Sequence, residues 1–328
     1  YRGMQRVITR GVRGKHLDAT THALTAAADA MTRGFDLLHI HCPGPAYVAP
    51  LLRLRRSGRV VVTIHGPDWE QRKWCGPASL CIRAGAWSAV KFAHKVVAVS
   101  GAVARSFERE FGRRPTTIPT GVELMEPVEP REITQLDLTA GDYLFTAARL
   151  TPAKGIHHLV DAFERLDTDK QLVVAGDSPF EDDYTRALRA HASDRIRFVG
   201  YVTGRLLAEL YSNAYLYVQP SEIEGLSVSV LEALSYGRCV LASDIEPNVE
   251  ALSGCGFTFA GRDVDDLTRR LTELLADPER VAAQTRIARE YIRTERTWER
   301  TVDGYETLYG DAVAGRTAFA AEQVLTTG

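Results

Sequence analysis

Long apolar runs are missing from this 328-residue chain: none approaches the ~20 residues that cross a bilayer, and no signal peptide opens it. Both absences point away from the helical membrane and secreted classes, so a cytoplasmic protein is expected. Cysteine is scarce. The five residues (Cys42, Cys75, Cys81, Cys239, Cys255) are odd in number and scattered, which excludes a disulfide framework. Cys75 and Cys81 lack metal-ligand spacing, so reduced thiols are expected. Excess charge of one sign is also missing, the net value being −2, and no nucleic-acid-binding motif accompanies the basic residues. Nucleic acid is therefore not an expected partner. What remains, 45% hydrophobic and 25% charged residues, is the composition of a globular protein. A chain this long exceeds one ordinary core, so two domains are the default. Frequent Arg, Ala and Asp suggest a GC-rich bacterial source.

The near-zero net charge conceals an asymmetry. Residues 1–130 hold 19 Lys and Arg against 10 Asp and Glu, leaving 21 against 32 in the remainder, or +9 and −11. A basic first half suits peripheral contact with an anionic membrane at its inner face, or an anionic acceptor. Complementary solvated faces across an interdomain cleft are the equally open alternative.

Period-2 and period-3.6 apolar patterns alternate along the chain. Met4–Thr9, Asp36–Cys42, Arg59–His65, Lys95–Val99 and Thr116–Pro119 read as strands. Between them, Leu17–Met31, Tyr47–Arg56, Ala78–His94 and a Ser100-capped segment to Phe111 read as helices. The Pro- and charge-rich stretch Glu126–Thr139 reads as a linker. Strands then recur at Asp142–Arg149, Gln171–Ala175, Arg195–Gly200, Ala214–Val218 and Cys239–Ser243, with helices through Leu166, near Thr203–Ser212, and from Ser227 to Gly237. Asn248–Ser253 and Gly256–Phe259 read as another turn of the sheet, and Leu267–Ala276 and Pro278–Arg293 follow as helices. In Thr297–Tyr309, Trp298, Val302, Tyr305, Leu308 and Tyr309 form one stripe. Short loops between alternating strands and helices predict parallel α/β sheets of Rossmann-like type.

Gln219–Val240 is the most informative stretch. An apolar strand ends at Pro220-Ser221, Glu224-Gly225 occupies the loop, and a helix with Val228, Leu231 and Leu234 at spacings of three carries Glu232. Ligands bind at the carboxyl ends of strands in such units. Backbone N–H groups of Gly225, Leu226 and Ser227 open the helix and make an anion site. One acid on each side suits a ligand with hydroxyls at both ends and phosphates between them, which describes a nucleotide sugar. His39 and His41 alternate with buried residues of their strand and read as core-edge histidines.

The pattern Glu224-Gly225-Leu226-x4-Leu231-Glu232-Ala233-x3-Gly237 resembles the donor-site signature of retaining GT-B glycosyltransferases, glycosyltransferase family 4. Two further segments agree, Arg149-Leu150-Thr151-Pro152-Ala153-Lys154-Gly155 and Thr63-Ile64-His65-Gly66-Pro67-Asp68. The basic loop Val12–Leu17 is similar to bacterial members acting on deoxyhexoses. The resemblance implies two Rossmann-like domains facing across a cleft. It divides the chain into an acceptor-side domain (1–125), a linker (126–140), a nucleotide-sugar domain (141–296), a returning helix (297–314) and a tail (315–328). It implies sugar transfer from a UDP, GDP or dTDP sugar to a hydroxyl of a saccharide, lipid-linked saccharide or natural product, with retention. Arg149 and Lys154 would neutralise the departing diphosphate. Glu224 would hold sugar hydroxyls, Glu232 the ribose, His65 the transferred sugar, and Asp68 would orient His65 or meet the acceptor. Neither metal nor cofactor is expected, since the cations and helix terminus replace Mg²⁺. Family members open with a Gly-Gly loop, and no Gly-Gly pair occurs here, so the chain is expected to enter after the first strand and helix. A non-catalytic partner protein and a sugar-nucleotide epimerase of the same fold are the alternatives.

Overall fold

The computed structural model describes residues 3–12, 18–54, 58–70, 77–178 and 182–315. They form two compact units, residues 1–119 with 302 onward, and residues 120–301.

The first unit runs α1 (Asp18–Thr32), β1 (Leu37–His41), α2 (Ala49–Arg53), β2 (Arg59–Ile64), α3 (Pro77–Phe92), β3 (Lys95–Ala98), α4 (Gly101–Phe111) and β4 (Thr116–Thr117). Its four strands are parallel in the order β1-β2-β3-β4. Val60, Val61, Val62 and Ile64 are fully buried, which explains why β2 reads as a continuous apolar run rather than an alternating one. Ser100 caps α4 as expected, its Oγ accepting from the Val103 N–H at 3.1 Å, and Gly112 closes the helix in the left-handed region.

Met4–Thr9 does not form the expected strand. These residues take up no regular secondary structure, and Met4 and Ile8 are 65% and 82% exposed. An alternating pattern makes a strand only where the segment pairs with a neighbour in a sheet. Here the segment is tied to α1 instead, Val12 N donating to Thr21 Oγ1 and Thr25 Oγ1 to the Arg10 carbonyl. The helix expected over 47–56 is a 3-10 turn at Gly44–Val48 followed by the five-residue α2. Most of the deoxyhexose-like loop, residues 13–17, lies outside the described residues.

The second unit contains β5 (Tyr143–Ala147), α5 (Ile156–Glu164), β6 (Gln171–Ala175), α6 (Asp183–Arg189), β7 (Ile196–Gly200), α7 (Gly204–Asn213), β8 (Leu216–Gln219), α8 (Val228–Ser235), β9 (Val240–Ser243), α9 (Glu246–Leu252), β10 (Phe257–Phe259), α10 (Val264–Ala276) and α11 (Pro278–Glu295). Its six strands are parallel in the order β10-β9-β8-β5-β6-β7. The chain therefore lays β6 and β7 on one side of β5, then crosses to β8 on the other. The strand order reverses between β5 and β8, so their carboxyl ends diverge into loops on opposite sheet faces and leave a crevice. Leu159 and Phe163 of α5, Leu241 of β9 and Leu267 and Leu271 of α10 meet in one buried core.

Residues 126–140 form no α-helix or strand, only a 3-10 turn at Ile133–Leu136 between bends and turns, and they dock on this unit. Fully buried Glu209 of α7 accepts from the N–H groups of Arg131, Glu132 and Ile133 at 2.7, 2.6 and 3.1 Å, and from Arg205 at 2.6 Å. Those four donors hold its carboxyl down to about 2 against the cost of burial. The last helix, α12 (Trp298–Val313), buries Leu308 and Ala312 against Val61, Val97 and Ile118 of the first unit. Trp298 and Val302, expected on that stripe, are about half exposed, because the buried face runs Thr301, Leu308, Ala312 with Tyr305 and Tyr309 beside it. Cys42, Cys81, Cys239 and Cys255 carry free thiols, and Cys75 lies outside the described residues.

Candidate active site

Seven of the nine expected site residues lie in the second unit, around the carboxyl ends of β5 and β8. After β5 the chain passes exposed Arg149, a 3-10 turn Pro152–Lys154, and Gly155 at φ 64°. Gly155 is required there twice over: a Cβ would meet the left-handed backbone penalty and would lie 2.0 Å from the Pro220 carbonyl oxygen. The loop after β5 is thus pressed against the loop after β8. Glu222 N donates to the Ala153 carbonyl at 2.9 Å across the same seam.

This contact brings Lys154 and Glu224 together. Lys154 Nζ lies 2.6 Å from Glu224 Oε1, with the lysine 21% and the glutamate 8% exposed. The same oxygen accepts from Ser221 Oγ at 2.6 Å and from Gln219 Nε2 at 3.1 Å. Among the described residues no protein donor reaches Glu224 Oε2. Gln219, fully buried at the end of β8, is itself oriented because its Oε1 accepts from Tyr217 OH and Ser229 Oγ at 2.9 and 3.0 Å. Arg149 has no carboxylate partner among the described residues.

The turn into α8 is fixed from below. Ser227 Oγ bonds Asn248 Oδ1, and Asn248 Nδ2 donates to Ser243 Oγ at 2.8 Å. Leu226 and Ser227 are buried, and among the described residues neither amide finds an acceptor in the chain. One helical turn on, Glu232 stands apart from Lys154 and Glu224. Tyr211 OH donates to its Oε2 at 3.0 Å, while burial raises the carboxyl above its ordinary range. Glu232 lines a cavity of ≈ 360 Å³ walled by Thr120–Glu123, Tyr211, Tyr236 and Trp298. Tyr211 and Tyr236 are stacked with ring centroids 5.5 Å apart. Val228, expected in the helix core beside Leu231 and Leu234, is 42% exposed and faces this cavity instead.

The other two expected residues lie in the first unit. His65 follows β2, its Nε2 3.0 Å from His41 Nδ1, and Asp68 opens a 3-10 turn over Asp68–Glu70. His39 is held by Tyr309 OH at 2.6 Å and Thr63 Oγ1 at 2.7 Å. Burial and the neighbouring imidazoles push His39 down to about 4, and desolvation lowers His41 and His65 as well. The histidines read as core-edge are half-buried and exposed respectively, and His41 is the direct neighbour of His65.

Residues 131–291 match the model for glycosyl transferases group 1, and residues 5–126 match that for glycosyltransferase family 4. The chain belongs to glycosyltransferase family 4. A GDP-mannose-dependent monoacylated alpha-(1-6)-phosphatidylinositol monomannoside mannosyltransferase of Corynebacterium glutamicum is 29% identical over 60% of this chain and 56% of its own length. Alpha-maltose-1-phosphate synthase of Mycobacterium tuberculosis is 33% identical over 48% and 46%. Such alignments span about half the length of these relatives. The fold is GT-B: HepE of Anabaena in complex with UDP and glucose superposes with a TM-score of 0.76 at 20% identity, over 88% of this chain and 81% of that one. Sucrose-phosphate synthase of Thermosynechococcus elongatus does so with 0.77 at 22%, over 91% and 79%. Among the described residues no helix is long and apolar enough to cross a membrane.

The motif pointed to Arg149, Lys154, Glu224 and Glu232. It did not point to Tyr211, Tyr236, Trp298 or Thr120–Glu123, which converge from four separate segments and carry no local spacing signal.

Proposed function

We propose that the chain transfers a glycosyl group from a nucleoside-diphosphate sugar to an acceptor hydroxyl with retention at the anomeric carbon. The observation that carries this reading is the seam at the strand-order reversal, where Lys154 and Glu224 meet beside the amides of Leu226 and Ser227. A diphosphate seated on those amides would draw its charge compensation from the helix terminus, Arg149 and Lys154. Lys154 would exchange part of its contact with Glu224 for phosphate oxygen, stabilising the charge that develops on the leaving diphosphate. Glu224 Oε2 would accept from sugar hydroxyls, and Glu232 from the ribose hydroxyls at the mouth of its cavity. His65 would hydrogen-bond the sugar being transferred. No carboxylate is assigned as a covalent nucleophile, and no metal or cofactor is assigned to the transfer.

The acceptor belongs to the hydroxyl-bearing saccharides, lipid-linked saccharides or natural products. The relative that acts on a phosphatidylinositol mannoside favours a lipid-linked one, as does the exposed face of α3, where Leu80 (69%), Trp87 (49%) and Phe92 (40%) stand beside Lys91.

Calorimetric titration of the purified chain with UDP-, GDP- and dTDP-sugars tests the donor reading. Saturable binding of one nucleotide, lost in Glu232→Ala, is expected. Absence of binding by all three would overturn it. Anomeric analysis of the product by NMR then tests retention.

A further inference from the structure

The donor reading leaves one polar cluster of the second unit without a role, formed by His157, His158 and Glu222. The two histidines are the second and third residues of α5, and Glu222 lies in the loop after β8. His158 Nε2 is 3.1 Å from Glu222 Oε1, His157 Nε2 is 3.9 Å from the same oxygen, and one ligand atom from each residue lies within 4.8 Å of the others. A tetrahedral zinc ion with bonds of about 2.0–2.1 Å to nitrogen and oxygen places its ligand atoms roughly 3.3 Å apart. The three atoms therefore need to move only by small side-chain rotations to surround one ion.

Their neighbours point the same way. Arg262 Nη2 lies 2.8 Å from Glu222 Oε2, which fixes the carboxylate and leaves Oε1 turned to the imidazoles. Tyr184 OH lies 3.2 Å from His157 Nδ1, which leaves Nε2 as the ligating nitrogen. Outer partners of this kind orient the ligands of protein metal sites. The side chains of His157, His158 and Glu222 are 35%, 15% and 19% exposed, sheltered yet open enough for a fourth, water ligand. A hydrogen bond between His158 and Glu222 does not account for the approach of His157, whose ring lies tilted against that of His158 with centroids 3.9 Å apart.

We propose that His157 Nε2, His158 Nε2 and Glu222 Oε1 bind a divalent transition ion of the zinc class. Two imidazoles and one carboxylate suit zinc rather than magnesium or calcium, which take oxygen ligands. The ion is structural. It ties the start of α5, just after Lys154, to the loop that carries Glu224, and so sets the seam on which the donor groups sit. No step of the transfer passes through it.

The test uses the whole chain, stripped with EDTA, dialysed and titrated with Zn²⁺ against a chromogenic chelator. About one equivalent of zinc held in competition with the chelator is expected, together with a rise in Tm on zinc addition. Both effects should be lost in His158→Ala and in Glu222→Gln, with His157→Gln as the substitute should either fail to fold by circular dichroism. Co²⁺ should give the visible d–d bands of a four-coordinate site without thiolate charge-transfer absorption. Failure to compete with the chelator, uptake unchanged in the folded variants, or a thiolate band that places the ion on cysteine would each overturn the proposal. Zinc uptake needs no nucleotide sugar, so the donor reading and this one fail separately.

Discussion

Glu232 separates a binding role from a stabilising one. Burial raises its carboxyl, so the folded chain disfavours the ionised form, while the Tyr211 hydroxyl donates to it in partial compensation. Stability contributed by the neutral form is present below the unfolded pKa and lost as pH rises through the folded one. Glu232→Gln removes that loss and keeps the hydrogen-bonding shape, so Tm at pH 7 should stay level or rise. Donor affinity should fall by about 10- to 100-fold, the worth of roughly 1.5–3 kcal/mol for hydrogen bonds to a charged acceptor. Paired calorimetry and thermal melts check this, and a fall in Tm with affinity intact would reverse the assignment. Lys154→Met differs in kind. It strands Glu224, only 8% exposed, without its cation, so both Tm and donor affinity should drop. Both residues were legible because a glycine, a loop acid and a helical acid at fixed spacing are local. Tyr211 was not, since nothing in its neighbourhood of sequence says that a hydroxyl from α7 will reach a carboxylate on α8.

At the level of elements, loops rather than strands set the site. Gly155→Ala would force an L-residue to φ 64° and place its Cβ 2.0 Å from the Pro220 oxygen. The backbone strain alone is of order 1–3 kcal/mol, and opening the seam to relieve the clash would part Lys154 from Glu224. Chemical denaturation should show the loss, and donor titration a weakening larger than stability alone explains. Glu209→Ala is the matching test on the opposite end of the sheet. It leaves three linker amides without their acceptor while the half-exposed Arg205 turns to solvent, and a cost of about 1–3 kcal/mol is expected from denaturant melts. Nearly all strands and helices of the second unit were readable from apolar period. α6 was not anticipated, although Asp182 caps it by accepting from Thr185 N at 2.8 Å, because the segment before it carries Ser178-Pro179 and reads as loop. Met4–Thr9 failed in the other sense, since period 2 predicts a strand's faces and says nothing about whether the segment joins a sheet or ties to a helix, as the chain here does to α1.

For the whole molecule, the two units should answer acid differently. His39, His41, His65 and His94 in the first unit are all lowered by burial, His39 and His94 to about 4. Among the described residues the second unit has one such histidine, His157. A histidine held neutral in the fold but protonated when unfolded near 6.5 favours unfolding as pH drops. The first unit should therefore lose stability between about pH 6.5 and 4. Glu209 works in a lower window. Its folded value is about 2, so the stability it gives is complete above the ordinary carboxylate range and vanishes only as pH falls through that range toward 2. Hydrogen exchange read by mass spectrometry at pH 7, 5.5 and 4.5, corrected for intrinsic rates, distinguishes the units peptide by peptide. Protection should fall first in β1, β2 and α12 around His39, Thr63, Tyr305 and Tyr309, while β5, β8 and the 131–136 turn hold. His39→Gln should flatten the first unit's acid response. Simultaneous loss in both units would mean that they unfold as one cooperative body and that the histidine cluster does not govern the acid limit.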